Sequence, residues 1–111
     1  MEPREEQTGR QYPYGPAAIA SAVVLGLYGI TLAPTTAFWD ASEYIATAHI
    51  LGIPHPPGNP LFVVLAKTWS LLLGVFRIPV AVRINLLAAT TSALTAGFWF
   101  LLAHRLVTGL R

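Results

Sequence analysis

The chain has no cysteine among its 111 residues, which excludes disulfides, thiolate metal sites and cysteine nucleophiles and leaves the redox compartment open. Charge is scarce as well: 11% of residues are Asp, Glu, Lys or Arg, against about a quarter in ordinary soluble domains. Acid is scarcest, since past Glu6 only Asp40 and Glu43 remain. The seven basic residues are scattered, so the formal charge of +2 builds no patch and no nucleic-acid partner is expected. No Walker loop, Rossmann glycine pattern, G-x-S-x-G or HExxH occurs, which leaves soluble nucleotide-binding and hydrolase readings without support.

What the chain does have is apolar surface. Hydrophobic residues make up 54% and the mean hydropathy is +0.56. These residues gather in long blocks rather than in the periodic stripes of soluble helices, so the expected solvent is a lipid bilayer. Residues 1–13 read as a polar tail on the cytoplasmic side. No charge interrupts the sequence between Arg10 and Asp40, longer than the apolar region of a signal peptide, and a retained span is expected over 16–34. Pro16 suits a first helical turn, Pro34 marks the exit, and Tyr12/Tyr14 and Phe38/Trp39 fall where the two interfacial aromatic belts belong. A second span is expected over 84–104, closed by His104 and Arg105.

Between them lies a loop, 38–82, on the outer face if the tail is cytoplasmic. Asp40 opens a short helix, about 41–51, with Glu43 three positions on and Gly52 at its end. Ile53-Pro-His-Pro-Pro-Gly-Asn-Pro60 follows, where four prolines and a glycine rule out a regular helix and favour a stiff extended turn. Residues 61–76 are apolar but short, with Lys67 at the centre. They could cross the membrane or lie in the interface with Lys67 snorkelling outward, and counting basic residues on each side does not decide.

The D-x-x-E spacing of Asp40 and Glu43 puts both carboxylates on one helix face. One could take a proton from a hydroxyl while the other orients a substrate, or the two could form a capping box that satisfies free backbone N–H groups. His55, in the proline turn, could face a phosphate or a sugar hydroxyl or be a solvated loop side chain. His49 and His55 lack a metal-helix spacing, and no metal site is assigned. Arg83 and Asn85 open the last span, where a guanidinium could bind a lipid phosphate or merely snorkel. Thr90, Thr91 and Ser92 are expected to pack against another helix.

Three ordered blocks carry a resemblance: Thr31 through Ala46 around Trp39-Asp40-Ala-Ser-Glu43, Leu51-Gly-Ile-Pro-His-Pro-Pro-Gly-Asn-Pro-Leu-Phe62, and Arg83-Ile-Asn-Leu-Leu-Ala-Ala89. Together they closely resemble the membrane family called domain of unknown function 2723, related to transmembrane protein 260 and the protein O-mannosyltransferases. Ala41-Ser42 departs from the Ser-Gly more often found there, and Asn59 and Phe62 are smaller departures.

The resemblance implies an all-α integral membrane module, the N-terminal part of a C-type glycosyltransferase fold, with two transmembrane helices flanking an outer loop of interfacial helices. It implies transfer of sugar from a polyprenyl-phosphate carrier to a hydroxyl acceptor. Asp40 would be the base, Glu43 the second catalytic carboxylate, and His55, Arg83 and Asn85 candidates for substrate binding, with no cofactor strictly required. Enzymes of this fold need many more spans. The chain is therefore expected to be inactive alone, as a fragment or as one part completed by helices on another chain, in the inner (plasma) membrane. The alternatives are a small non-catalytic membrane interaction protein, or a transporter fragment that depends on Lys67 as an intramembrane charge.

Overall fold

In the computed structural model, residues 11–36, 39–56 and 58–110 are described. Four α-helices follow one another: α1 (Tyr14–Thr31), α2 (Ala41–Ile50), α3 (Pro60–Leu73) and α4 (Val80–Gly109), with a 3-10 turn, Gly74–Phe76, after α3. Among the described residues there is no strand. The polar tail through Arg10, and Phe38 in the second aromatic pair, lie outside them.

Helix α1 begins at Tyr14, two residues before Pro16. The proline falls within the first turn, where the first four N–H groups have no helical partner, so its missing donor costs nothing. The helix ends at Thr31, earlier than expected. Pro34 disfavours helical geometry at Ala33, and Leu32 is already extended at ψ 127. Its 18 residues give about 27 Å. Helix α4 runs the other way from the expectation: it starts at Val80, just after Pro79, and continues past His104 and Arg105 to Gly109. Charges end the match to hydrocarbon, but they do not end a helix. Its 30 residues span about 45 Å, so the ends pass beyond a bilayer core of about 30 Å or the helix tilts.

These two helices are long and apolar enough to cross a membrane, and only 6% and 17% of their apolar windows are buried. A soluble core helix would be mostly covered. The molecule is an all-helical membrane protein with two such helices.

The α1–α4 seam is made of small residues, Ala17 on one side and Ala89, Ala93 and Gly97 on the other. A Cβ at Gly97 would stand 2.2 Å from Ser21 Oγ and 3.3 Å from the Ala17 carbonyl oxygen. Backbones approach this closely only where the side chain is absent. Thr90 is half-buried, while Thr91 and Ser92 are exposed; Thr91 Oγ1 donates back to the carbonyls of Leu87 and Ala88, and Ser92 lines a cavity between α1 and α4.

A second cluster lies where α2 and α3 meet the start of α4. Ile45, Ala48, Ala66 and Ile84 are buried together, with Phe62 and Leu87 against them. Helix α3 and the 3-10 turn that continues it, Pro60–Phe76, form an apolar helix shorter than the two candidate spans. Its Lys67 ammonium donates to the His49 carbonyl in the last turn of α2, where a cation offsets the negative end of the helix dipole. Lys67 is thus engaged at a helix end.

Candidate active site

Asp40 takes the N-cap position of α2, but its backbone is already helical (φ −74, ψ −4) and its side chain makes no cap hydrogen bond. A cap residue normally takes extended geometry so that its oxygen can turn back onto the N2 or N3 amide. With helical angles that reach is lost, and the expected capping box does not form. The Asp40 carboxylate has no hydrogen-bond partner among the described residues and is half-buried.

Glu43 also abandons the box. One carboxylate oxygen accepts the His55 backbone N–H at 2.6 Å and the other meets His55 Nδ1 at 2.7 Å. Because an ionised carboxylate can only accept, Nδ1 carries the proton and Nε2 is the nitrogen left to face a ligand. The proline turn supplies the approach: the Gly58 N–H bonds back to the His55 carbonyl at 2.9 Å, and Gly58 takes φ 76, the left-handed region that glycine enters freely. A second clasp lies beside it. Asn59 Nδ2 donates to the Tyr44 hydroxyl at 2.7 Å, and the Tyr44 ring stands edge-on to Phe62 and to His55. Two side-chain pairs therefore fasten the turn to α2.

This geometry shifts both partners. The hydrogen bond to His55 Nδ1, then that from its backbone, holds the Glu43 carboxyl below its ordinary value. The His55 imidazole is raised, chiefly by the same bond to Glu43, then by that carboxylate's charge, with a further contribution from Asp40. With side chains 49% and 37% exposed, solvent screens the pair, and its role is orientation more than stability.

Asp40, Glu43 and His55 can bring one ligand atom each within 4.8 Å of one another. Two carboxylates and an imidazole are also a donor set that a divalent cation could use, in competition with the proton on Nδ1. The sequence joined Asp40 and Glu43 by helical spacing but gave no means of adding His55, twelve residues on. Tyr44 and Asn59 were missed as a pair, and no periodic signal marks them.

Arg83 and Asn85 are placed differently. Arg83 donates Nε to the Ile78 carbonyl and Nη1 to the Ser70 carbonyl at 3.1 Å, while its own carbonyl accepts Trp69 Nε1 at 2.9 Å. The guanidinium thereby closes the end of α3 onto α4. Asn85 Nδ2 donates to the Ala33 carbonyl at 2.9 Å and reaches that of Thr35 at 3.4 Å. Beside the carboxylates, Ala41, Tyr44, Ile45, Phe62, Ile84 and Asn85 line a largely apolar groove of about 490 Å³.

A family model described as "Protein O-mannosyl-transferase TMEM260 N-terminal domain" matches residues 40–111, starting at Asp40 itself. The chain belongs to this TMEM260 N-terminal family. A mouse relative named "Protein O-mannosyl-transferase TMEM260" is 40% identical over 86 residues, 77% of this chain and 12% of the relative. A Dictyostelium discoideum relative named "Protein O-mannosyl-transferase tmem260" is 31% identical over 78 residues, 70% of this chain and 10% of its own. The chain thus spans about a tenth of the length of these TMEM260 relatives. No solved structure matches it. The TMEM260 match covers α2, the proline turn, α3 and α4, the elements that bring Asp40, Glu43 and His55 together.

Proposed function

We propose that this chain is the base-bearing N-terminal module of a membrane O-glycosyltransferase that moves a sugar, mannose by analogy with the relatives' names, from a polyprenyl phosphate to a hydroxyl acceptor. The observation that carries the reading is the Asp40 carboxylate, without a hydrogen-bond partner among the described residues, beside the clamped Glu43–His55 pair and within the family match.

An Asp40 oxygen accepts the proton of the acceptor hydroxyl as that oxygen attacks the anomeric carbon. The bond from the anomeric carbon to the phosphate oxygen breaks, its electron pair leaves with the lipid phosphate, and the configuration inverts. Glu43 does not compete for the acceptor proton, because both its oxygens are engaged by His55. Its part is to fix the imidazole so that Nε2 is presented outward. When protonated, His55 supplies a cationic donor toward the departing phosphate. Arg83 is bound to the carbonyls of Ser70 and Ile78, so charge beyond His55 is contributed by groups outside this cluster. In this reading α2 and α3 rest in the outer interface of the plasma membrane, and further membrane helices, on the same or another chain, enclose the carrier lipid.

The test is sugar transfer by the complete membrane enzyme to a threonine-containing peptide, with polyprenyl-phosphate mannose and GDP-mannose compared as donors. The reading predicts product from the lipid donor alone. Transfer from the nucleotide sugar in lipid-free micelles would overturn it.

A further inference from the structure

Tyr44 follows Asp40 by one helical turn, so the two lie on one face of α2. Its ring is held between two others: Phe62 stands edge-on to it at 5.4 Å and the His55 imidazole at 6.2 Å between ring centres. Asn59 completes the setting. It occupies the N-cap position of α3, ahead of Pro60, where an asparagine ordinarily bonds the first helical amides, yet it makes no cap bond. Its NH2 group donates to the Tyr44 hydroxyl at 2.7 Å instead.

Tyr44, Asn59 and Phe62 border the groove of about 490 Å³ that begins at Ala41, with Asn85 on its α4 side. That volume lies in the ordinary range of small-molecule sites, about 300–1,000 Å³. The donors and acceptors left over define what the groove can hold. The Tyr44 oxygen accepts from Asn59, so its own O–H is the donor that remains. Asn59 and Asn85 both use the NH2 group, on Tyr44 and on the carbonyls of Ala33 and Thr35, and each keeps Oδ1 as an acceptor without a partner among the described residues. No charged side chain among the described residues lines the groove. A phosphate, anionic and able only to accept, would meet two acceptors and no cation. One hydroxyl donor, two amide acceptors and two aromatic rings suit a neutral ligand with several hydroxyls and an apolar face. A pyranose ring has that make-up.

We infer that this groove is the sugar subsite: the Tyr44 hydroxyl donates to one hydroxyl of the transferred pyranose, and Oδ1 of Asn59 and of Asn85 accept from others. The assignment rests on the reading of Asp40 as base. In-line displacement puts the sugar between the base and the departing phosphate, so its subsite must adjoin both. This groove does, since Ala41 follows Asp40 directly and the Tyr44 ring stands against His55. An acceptor peptide needs to adjoin Asp40 alone.

The test is transfer by the complete enzyme to a threonine-containing peptide from polyprenyl-phosphate mannose and from its singly deoxygenated analogues, one for each free sugar hydroxyl. Tyr44→Phe removes the donor and keeps the ring on Phe62 and His55. It should lower kcat/KM for the mannosyl donor by roughly 3- to 10-fold, leave KM for the peptide unchanged, and have no effect with the one analogue that lacks the hydroxyl Tyr44 meets. A loss equal for every donor would make Tyr44 structural, a raised KM for the peptide alone would give the groove to the acceptor, and no loss would remove Tyr44 from the site; each overturns the inference. Binding of methyl α-mannopyranoside, read by saturation-transfer NMR on the enzyme in nanodiscs, needs no turnover. Tyr44→Phe should weaken it and Asp40→Asn should not; binding unchanged in Tyr44→Phe counts against the subsite. Full activity of Asp40→Asn defeats the reading of Asp40 as base, whereas a dead Asp40→Asn beside a Tyr44→Phe loss that ignores the analogue defeats the subsite alone.

Discussion

Glu43 gives both of its carboxylate oxygens to one residue, His55, at 2.6 and 2.7 Å. That relationship turns a flexible-looking pair of surface side chains into a fixed imidazole, and it separates the two acids past Glu6 into different tasks. Among the described residues Asp40 has no hydrogen-bond partner, while Glu43 is consumed.

The pair titrates with a defined sign. His55 is raised above its ordinary 6.5, so its contribution to folding is full below that pH and is lost as pH rises through the raised value. Glu43 lies below its ordinary 4.5, so its contribution is full above that pH and is lost as pH falls through the lowered value. The clasp is complete between pH 4.5 and 6.5. Glu43→Gln should bring the His55 titration, followed by ring proton NMR, down toward 6.5. An unmoved midpoint would show that Glu43 does not hold the imidazole in solution.

Removing the Asp40 side chain tests whether it caps α2. Since the carboxylate makes no cap bond, Asp40→Ala should change unfolding stability by less than about 0.5 kcal/mol. A loss of about 1 kcal/mol, typical of a deleted N-cap, would restore the capping box.

The α1–α4 seam yields a paired prediction. Gly97→Ala drives a methyl to within 2.2 Å of Ser21 Oγ and should cost about 1–3 kcal/mol. Ser21→Ala removes that oxygen and leaves Ser21 Cβ at 3.6 Å and the Ala17 carbonyl oxygen, still tight, at 3.3 Å, so the double variant should recover part of the loss. Steric-trap unfolding in bilayers measures both. An additive second loss would mean that the helices do not meet at this point.

Much of the fold was readable because bilayer physics writes in long runs. The uncharged stretch from Gln11 to Trp39 and the apolar run after Arg83 mark two helices without any knowledge of packing. The helix ends were less readable: α4 begins at Val80 because Pro79 can start a helix as easily as it can end one, and it continues beyond Arg105 because charge on a helix is no stop signal. The site was half legible. Helical spacing joins Asp40 to Glu43, but a capping box and a clamp on a distant histidine use the same D-x-x-E letters. Only the path of the Pro54-His-Pro turn decides between them. The resemblance marked Asn85 as a substrate-binding candidate, but its contact with residues 33 and 35 was not legible, since its partners are backbone carbonyls that any sequence would provide.

Asp40 as the proton acceptor is tested most directly by single-turnover sugar transfer in the complete enzyme carrying Asp40→Asn, an isosteric change that keeps hydrogen bonding and removes basicity. The rate from polyprenyl-phosphate mannose to a threonine-containing peptide should fall by about 10²- to 10⁴-fold, with donor binding preserved and the His55 titration moved only slightly down as the Asp40 charge is lost. Transfer at the parent rate would contradict the assignment and move the base to another residue.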